Sequence, residues 1–198
     1  MAQIFSLKDG IKKLKERILE LKKRGRIIVV GIAGASCSGK SFTARKIKAK
    51  IIPFDDYYIG LKKMAKKRVK NFDEPRALDL NLLKKHLKEL KKGRAIIKPV
   101  YDLRIHERIG IEKFMPSKVM ILDGLYALRP EILKFIDLKV FVESPKKLRL
   151  KRRIERDAME RSQCTKKERT QYFNQVVEPN YKKYVLPTIK NTEIIIKN

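Results

Sequence analysis

The sequence predicts an α/β domain in three layers, a parallel sheet with helices packed on both faces. Two observations carry that prediction. Short β-branched runs alternate with segments whose apolar residues recur at the helical period, an order that builds strand–helix–strand units and therefore parallel strands. A glycine-rich turn in "VVGIAGASCSGKSFTARK" (29–46) joins one such run directly to a helical segment. The 198 residues contain no linker, repeat or low-complexity stretch, and their length suits one continuous core.

Leu7, Ile11, Leu14, Ile18 and Leu21 recur at steps of four and three between Lys, Glu and Arg, which predicts an amphipathic helix over 6–24, stopped by Gly25. Residues 1–25 are therefore set apart as an N-terminal helix and 26–198 as a single domain. "RIIVVGIAG" is a buried strand by its β-branched content, and "KSFTARKIKAK" after the glycines is a short helix. Further strands are predicted at 49–54, 94–100, 118–122, 138–142 and 193–197. Between them, Leu82, Leu83, His86, Leu87 and Leu90 line one face of a helix with Asp79 as N-cap and Gly93 as stop. His86 fits there as a partly buried helix residue. The basic segment "SPKKLRLKRRIERDAMERS" starts a helix with Ser144 as cap and Pro145 at its first position.

Fifty Lys plus Arg against 22 Asp plus Glu leave a net charge of 50 − 22 = +28. That excess suits nucleotide phosphates or a nucleic-acid backbone, and equally the solvated charge networks of proteins adapted to heat. No RNA-binding module and no basic face interleaved with aromatics is present, which argues against a nucleic-acid partner. Cys37 and Cys164 are too few and too far apart for a disulfide framework or a zinc site. No apolar run approaches the ~20 residues that span a bilayer, and the N-terminus has no secretory apolar core. The expectation is a soluble, cytoplasmic protein with no membrane partner.

Gly34, Ala35, Ser36, Cys37, Ser38, Gly39, Lys40 and Ser41 fit G-x-x-x-x-G-K-[ST], with Phe42 opening the helix behind them. In such a loop the backbone N–H groups turn inward around phosphates, helped by the positive end of the following helix. Lys40 reaches the β and γ phosphates and the Ser41 hydroxyl ligates Mg²⁺, so ATP or GTP with Mg²⁺ is the expected cofactor pair. Phosphate binding alone does not separate a kinase from a GTPase or a motor. Asp55 and Asp56 follow one strand and Asp123 another, at the strand ends where ligands collect in open α/β sheets. A kinase needs a carboxylate to accept the proton of the attacking hydroxyl and one near the metal, and these acids can supply both. A lone aspartate would instead be read as a turn or helix cap.

At this point the chain resembles the phosphoribulokinase/uridine kinase family in its uridine-cytidine kinase branch. The resemblance covers nearly everything after residue 26 and rests on seven stretches in family order: "GASCSGKS", "FDDYY", "NFDEPRALD", "PVYDLRIHER", "ILDGLYAL", "RLKRRIERDAMER" and "EPNYKKYVLPT". It implies a P-loop NTPase fold with a small substrate-binding insertion and a helical lid at about 145–170. It also implies that Asp55 is the catalytic base and a metal neighbour beside Ser41 and Asp123, and that Tyr58 lies against the nucleoside. Asp73 then accepts hydrogen bonds from both ribose hydroxyls, a match of two donors to two carboxylate oxygens. Tyr101 and His106 become the base-reading pair. Arg153, Arg156 and Arg161 stabilise the transferring phosphoryl group, while Arg152 and the lysines of that helix face water.

The chain departs from the family pattern in four places. The segment from Lys40 to Asp55 is short, Leu103 stands where an aromatic is usual, Gln163 stands where another arginine is common near base and phosphates, and Asp123 replaces a glutamate. These leave phosphoryl transfer in place and the nucleobase open. The reading is a kinase acting on the 5′-hydroxyl of uridine or cytidine, able to form a homo-oligomer. The alternatives are a kinase of another small hydroxyl compound, such as a sugar phosphate or a pantothenate-like acceptor, and a P-loop protein that binds nucleic acid.

Overall fold

In the computed structural model, which describes residues 2–160 and 164–198, six strands form one all-parallel sheet. They are β1 (Gln3–Ser6), β2 (Ile28–Gly34), β3 (Lys50–Pro53), β6 (Val119–Asp123), β7 (Leu138–Glu143) and β8 (Ile194–Lys197), in the order β1-β8-β7-β2-β6-β3. β2 is central and buried at every residue, between β6 (Ile32 beside Asp123) and β7 (Gly34 beside Val142). That register brings the ends of β2 and β6 together. The helices are α1 (Leu7–Lys22), α2 (Lys40–Arg45), α3 (Leu61–Lys66), α4 (Leu80–Lys91), α5 (Lys146–Glu160) and α6 (Lys166–Tyr172), followed by a winding helical segment over 173–191. Among the described residues no helix is long and apolar enough to cross a membrane.

Each face of the sheet carries its own core. On one, α1 sets Leu14, Ile18 and Leu21 against Ile28, Val30, Val140, Val142, Ile194 and Ile196. On the other, α4 sets Leu83, Leu87 and Leu90 into a larger cluster with Val29, Ile52, Phe54, Leu122 and Phe141. The alternation of side chains along β2 explains the split, since Val29 and Ala33 point one way and Ile28, Val30 and Ile32 the other. Asp79 caps α4 as its position predicts, accepting from Leu82 N at 3.1 Å. His86 is more buried than expected, and its Nδ1 lies 3.0 Å from the Tyr57 hydroxyl.

Three expectations are corrected. The chain does not enter directly into α1: β1 precedes it and adds an edge strand beside β8, because four residues with one apolar pair give no readable period. The 94–100 segment does not join the parallel sheet. It forms β4 (Ile96–Asp102), paired antiparallel with β5 (Glu107–Phe114) in a separate hairpin, and β5 escaped notice because charges interrupt its isoleucines. Ser144 is no helix cap either, since its buried hydroxyl makes no hydrogen bond. Its carbonyl instead accepts from Arg149 Nε at 2.9 Å.

Candidate active site between the phosphate loop and an aromatic wall

The loop after β2 is shaped by backbone that favours glycine. Gly34 has φ +144°, and a Cβ there would sit 2.2 Å from the Val142 carbonyl oxygen; Gly39 has φ +102°. Cys37 takes a left-handed φ of +60° without that freedom, so the loop holds a strained residue between them. Lys40 folds back over the loop and donates from Nζ to the Ala35 carbonyl at 2.8 Å. Burial holds its ammonium below the usual lysine range, while Asp123 and Asp55 pull it back up.

This loop opens onto one cavity of about 1090 Å³. On the loop side it is lined by Ser36, Cys37, Gly39, Lys40, Ser41 and Phe42, while Gly34, Ala35 and Ser38 lie behind them. At strand ends Asp55 and Asp123 face in. The opposite wall is Tyr58, Phe72, Asp73, Leu103 and His106. His106 stacks on Phe72 with ring centroids 4.5 Å apart and planes 23° from parallel, and Phe72 meets Tyr58 edge-on at 5.5 Å. Tyr101, expected as half of a base-reading pair, stands behind Tyr58 at 5.4 Å, is buried, and does not line the cavity. Phe72, partly buried, takes that place on the cavity wall. It sits inside "NFDEP", where the neighbouring aspartate drew the attention.

The adjacent acids of "FDDYY" separate. The 3-10 turn Phe54–Tyr57 sends Asp55 to the cavity and Asp56 into the protein, where it accepts from Lys98 Nζ at 2.5 Å and from Tyr101 N at 3.3 Å. Asp56 is thus committed to holding the hairpin. Asp73 is buried on the cavity wall, and its backbone carbonyl accepts from the Tyr126 hydroxyl. Burial raises its carboxyl above the usual aspartate range, with Arg153 and Arg156 opposing.

Helix α5, expected as part of a lid, touches the loop through its arginines. Arg153 Nη1 donates to Ser36 Oγ at 3.0 Å, and Asp157 holds Arg153 Nε at 3.2 Å and Arg156 Nη2 at 2.7 Å. Arg152 does not face water as expected. It reaches the Cys37 carbonyl and Asn198 Oδ1, each at 3.4 Å, while Asn198 Nδ2 donates to the Ser38 carbonyl at 2.8 Å. Leu7, Tyr172 and Asn198 line the cavity without any sequence motif to mark them, and Arg152 and Asp157 line it from within the quoted basic stretch. Arg161 and Gln163 lie outside the described residues.

The donor set suits Mg²⁺. Asp123 keeps one carboxylate oxygen buried with no hydrogen bond, and Ser41 offers a hydroxyl on the same cavity wall. Among the described residues no group of three or more His, Cys, Asp or Glu could hold a metal by itself. Two protein oxygens fit an ion that takes its other ligands from phosphates and water.

A parallel sheet with a G-x-x-x-x-G-K-S loop at its central strand, a carboxylate at the end of the next strand and an arginine-bearing helix beside the loop defines a P-loop kinase. Residues 29–198 match the model of the Phosphoribulokinase / Uridine kinase family, and the chain belongs to that family. A uridine kinase of Brevibacillus brevis is 35% identical over 186 residues, covering 87% of this chain and 85% of that protein. A uridine kinase of Clostridium perfringens is 37% identical over 182 residues, covering 86% and 87%. Two solved structures share the fold: the Saccharomyces cerevisiae protein YFH7 (TM-score 0.75, 12% identity, 95% of this chain and 99% of that one) and a possible uridine kinase from Bacillus stearothermophilus (0.60, 19%, 93% and 99%).

Proposed function

We propose that the protein phosphorylates the 5′-hydroxyl of uridine or cytidine with ATP or GTP as donor. The observation that carries this reading is the single cavity shared by the phosphate loop and the wall of Tyr58, Phe72, Asp73 and His106. A flat base suits the Phe72–His106 stack, and a vicinal diol suits the two acceptor oxygens of Asp73. Asp55 stands between the two halves. In the transfer the hydroxyl oxygen bonds to the γ-phosphorus in line as the bond to the bridging oxygen breaks. The hydroxyl proton passes to Asp55, and the departing diphosphate keeps the electron pair. Lys40, Arg153 and Arg156 offset the negative charge on the moving phosphoryl group. Ser41 and Asp123 would hold Mg²⁺, which supplies charge neutralisation across the phosphates.

The test is turnover of uridine, cytidine, other nucleosides and sugar phosphates with Mg-ATP and Mg-GTP. Phosphorylation of a sugar phosphate and of no nucleoside would sink the reading. Asp55→Asn should lower kcat by at least ~100-fold, the usual scale for a general base, while donor binding followed by fluorescence titration stays within a few-fold. An unchanged rate would remove Asp55 from the base role.

A further inference from the structure

We propose that Glu107 is a positioning residue for the acceptor base, and that it acts by fixing the hairpin turn that carries the His106 ring. The inference rests on the reading above, because it concerns the wall that receives the nucleoside. Residues 103–106 form the turn between β4 and β5, and Leu103 and His106 at its two ends line the cavity. His106 closes the turn with a left-handed φ of +56°, which a side chain bearing a Cβ adopts far less readily than glycine. Such a residue persists only where its surroundings hold it. Here the residue so held is the one stacked on Phe72.

The contacts that hold it come from the start of α3. The first N–H groups of a helix have no partner within it, and Gly60, which precedes α3, has no side chain to cap them. The hairpin supplies the acceptors instead. The His106 carbonyl accepts from Leu61 N at 3.2 Å, and Glu107 Oε1 accepts from Lys62 N at 3.0 Å. Gly60 makes room for this, since a Cβ there would sit 2.2 Å from Glu107 Oε2. Arg108 extends the seam, donating from Nε to the Tyr58 carbonyl at 2.8 Å and from Nη2 to the Tyr57 carbonyl at 3.3 Å. Three consecutive hairpin residues thus dock on 57–62, the segment that brings Tyr58 to the same wall. Glu107 does not line the cavity itself, so its influence on a bound base passes through the turn.

Steady-state kinetics on the full chain test this, with uridine or cytidine varied at saturating Mg-ATP and then Mg-ATP varied at saturating nucleoside. Glu107→Ala should raise the nucleoside KM about tenfold or more, the scale of a lost hydrogen bond to a charged group. The Mg-ATP KM should stay within about threefold, since the phosphate side is untouched. Glu107→Gln keeps an acceptor oxygen at the same reach and should restore most of the loss. His106→Ala should raise the nucleoside KM by itself, and adding Glu107→Ala to it should change little, because the ring to be positioned is gone. A nucleoside KM indifferent to Glu107→Ala overturns the proposal. So do effects that multiply in the double variant, or a Mg-ATP KM that rises in step with the nucleoside KM. Each of these leaves nucleoside phosphorylation standing, whereas a wild-type chain that phosphorylates no nucleoside sinks the functional reading and this inference with it.

Discussion

Asp73 is a carboxylate held against its own ionisation. Burial raises its pKa, and the guanidiniums of Arg153 and Arg156 recover only part of the cost. A raised pKa means that the folded state binds the proton more tightly than the unfolded chain does. Its contribution to stability is therefore full below the ordinary aspartate range and is lost as pH rises through the folded value. Above that range the protein carries a penalty that the protonated or amide side chain escapes. Asp73→Asn should raise the melting temperature at pH 7, and this gain should vanish below about pH 4, where the unfolded aspartate is also protonated. The same change removes a charged acceptor, so the nucleoside KM should rise about tenfold or more. A melting temperature that is lower at pH 7 would show that the arginine contacts outweigh burial. At this scale the sequence names the chemistry and not the direction. Lys40, Ser41, Asp55 and Asp73 were legible because a phosphate loop and short motifs fix residue type at each place. Whether Phe72 or Tyr101 forms the cavity wall depends on how a hairpin rotates neighbours, which adjacency does not encode.

Helix α5 is fixed at its base by one buried pair. Arg149 donates to both carboxylate oxygens of Glu178, at 2.9 and 3.2 Å, and its guanidinium lies 4.8 Å over the Tyr181 ring. Both side chains are almost fully covered. Steps of four and three put Arg149 on one helix face with Arg153 and Arg156, and it is nearest of the three to β7, where burial commits it to anchoring. Removing one member of such a pair leaves the other charge buried and unpaired, at about 3–5 kcal/mol. Arg149→Met should therefore lower the melting temperature by on the order of 10 °C. Adding Glu178→Leu should recover most of the loss, because the stranded carboxylate is gone. Thermal unfolding followed by circular dichroism measures both, and equal losses in the single and double variants would exclude the stranded charge as the cause. Long amphipathic elements such as α1 and α4 were legible from their period. The short strands β1 and β5 were not, since strand pairing is decided by partners distant in sequence.

For the whole molecule, the matched family span begins at residue 29, yet the sheet and the cavity both extend into what precedes it. β1 completes the edge beside β8, α1 covers β2, β7 and β8, and Leu7 at the junction reaches the cavity near Asn198. The alternation of strands and helices made the three layers readable, while the separation of 1–25 from the rest rested on the helical period and the Gly25 stop. Burial argues for integration. Leu14, Ile18 and Leu21 are 0%, 5% and 4% exposed, and side chains of this kind contribute about 1.5–3 kcal/mol each when buried. Together they amount to about 5–9 kcal/mol, the scale of a domain's entire net stability of about 5–15 kcal/mol. Their removal also exposes Val140, Val142, Ile194 and Ile196, which α1 now shields. A chain that starts at Arg26 should lose its cooperative thermal transition, expose apolar surface to a hydrophobic dye, and lose donor binding along with turnover. Full retention of the melting temperature in that shortened chain would show that the sheet closes its own face, and that α1 is an addition to an already complete fold.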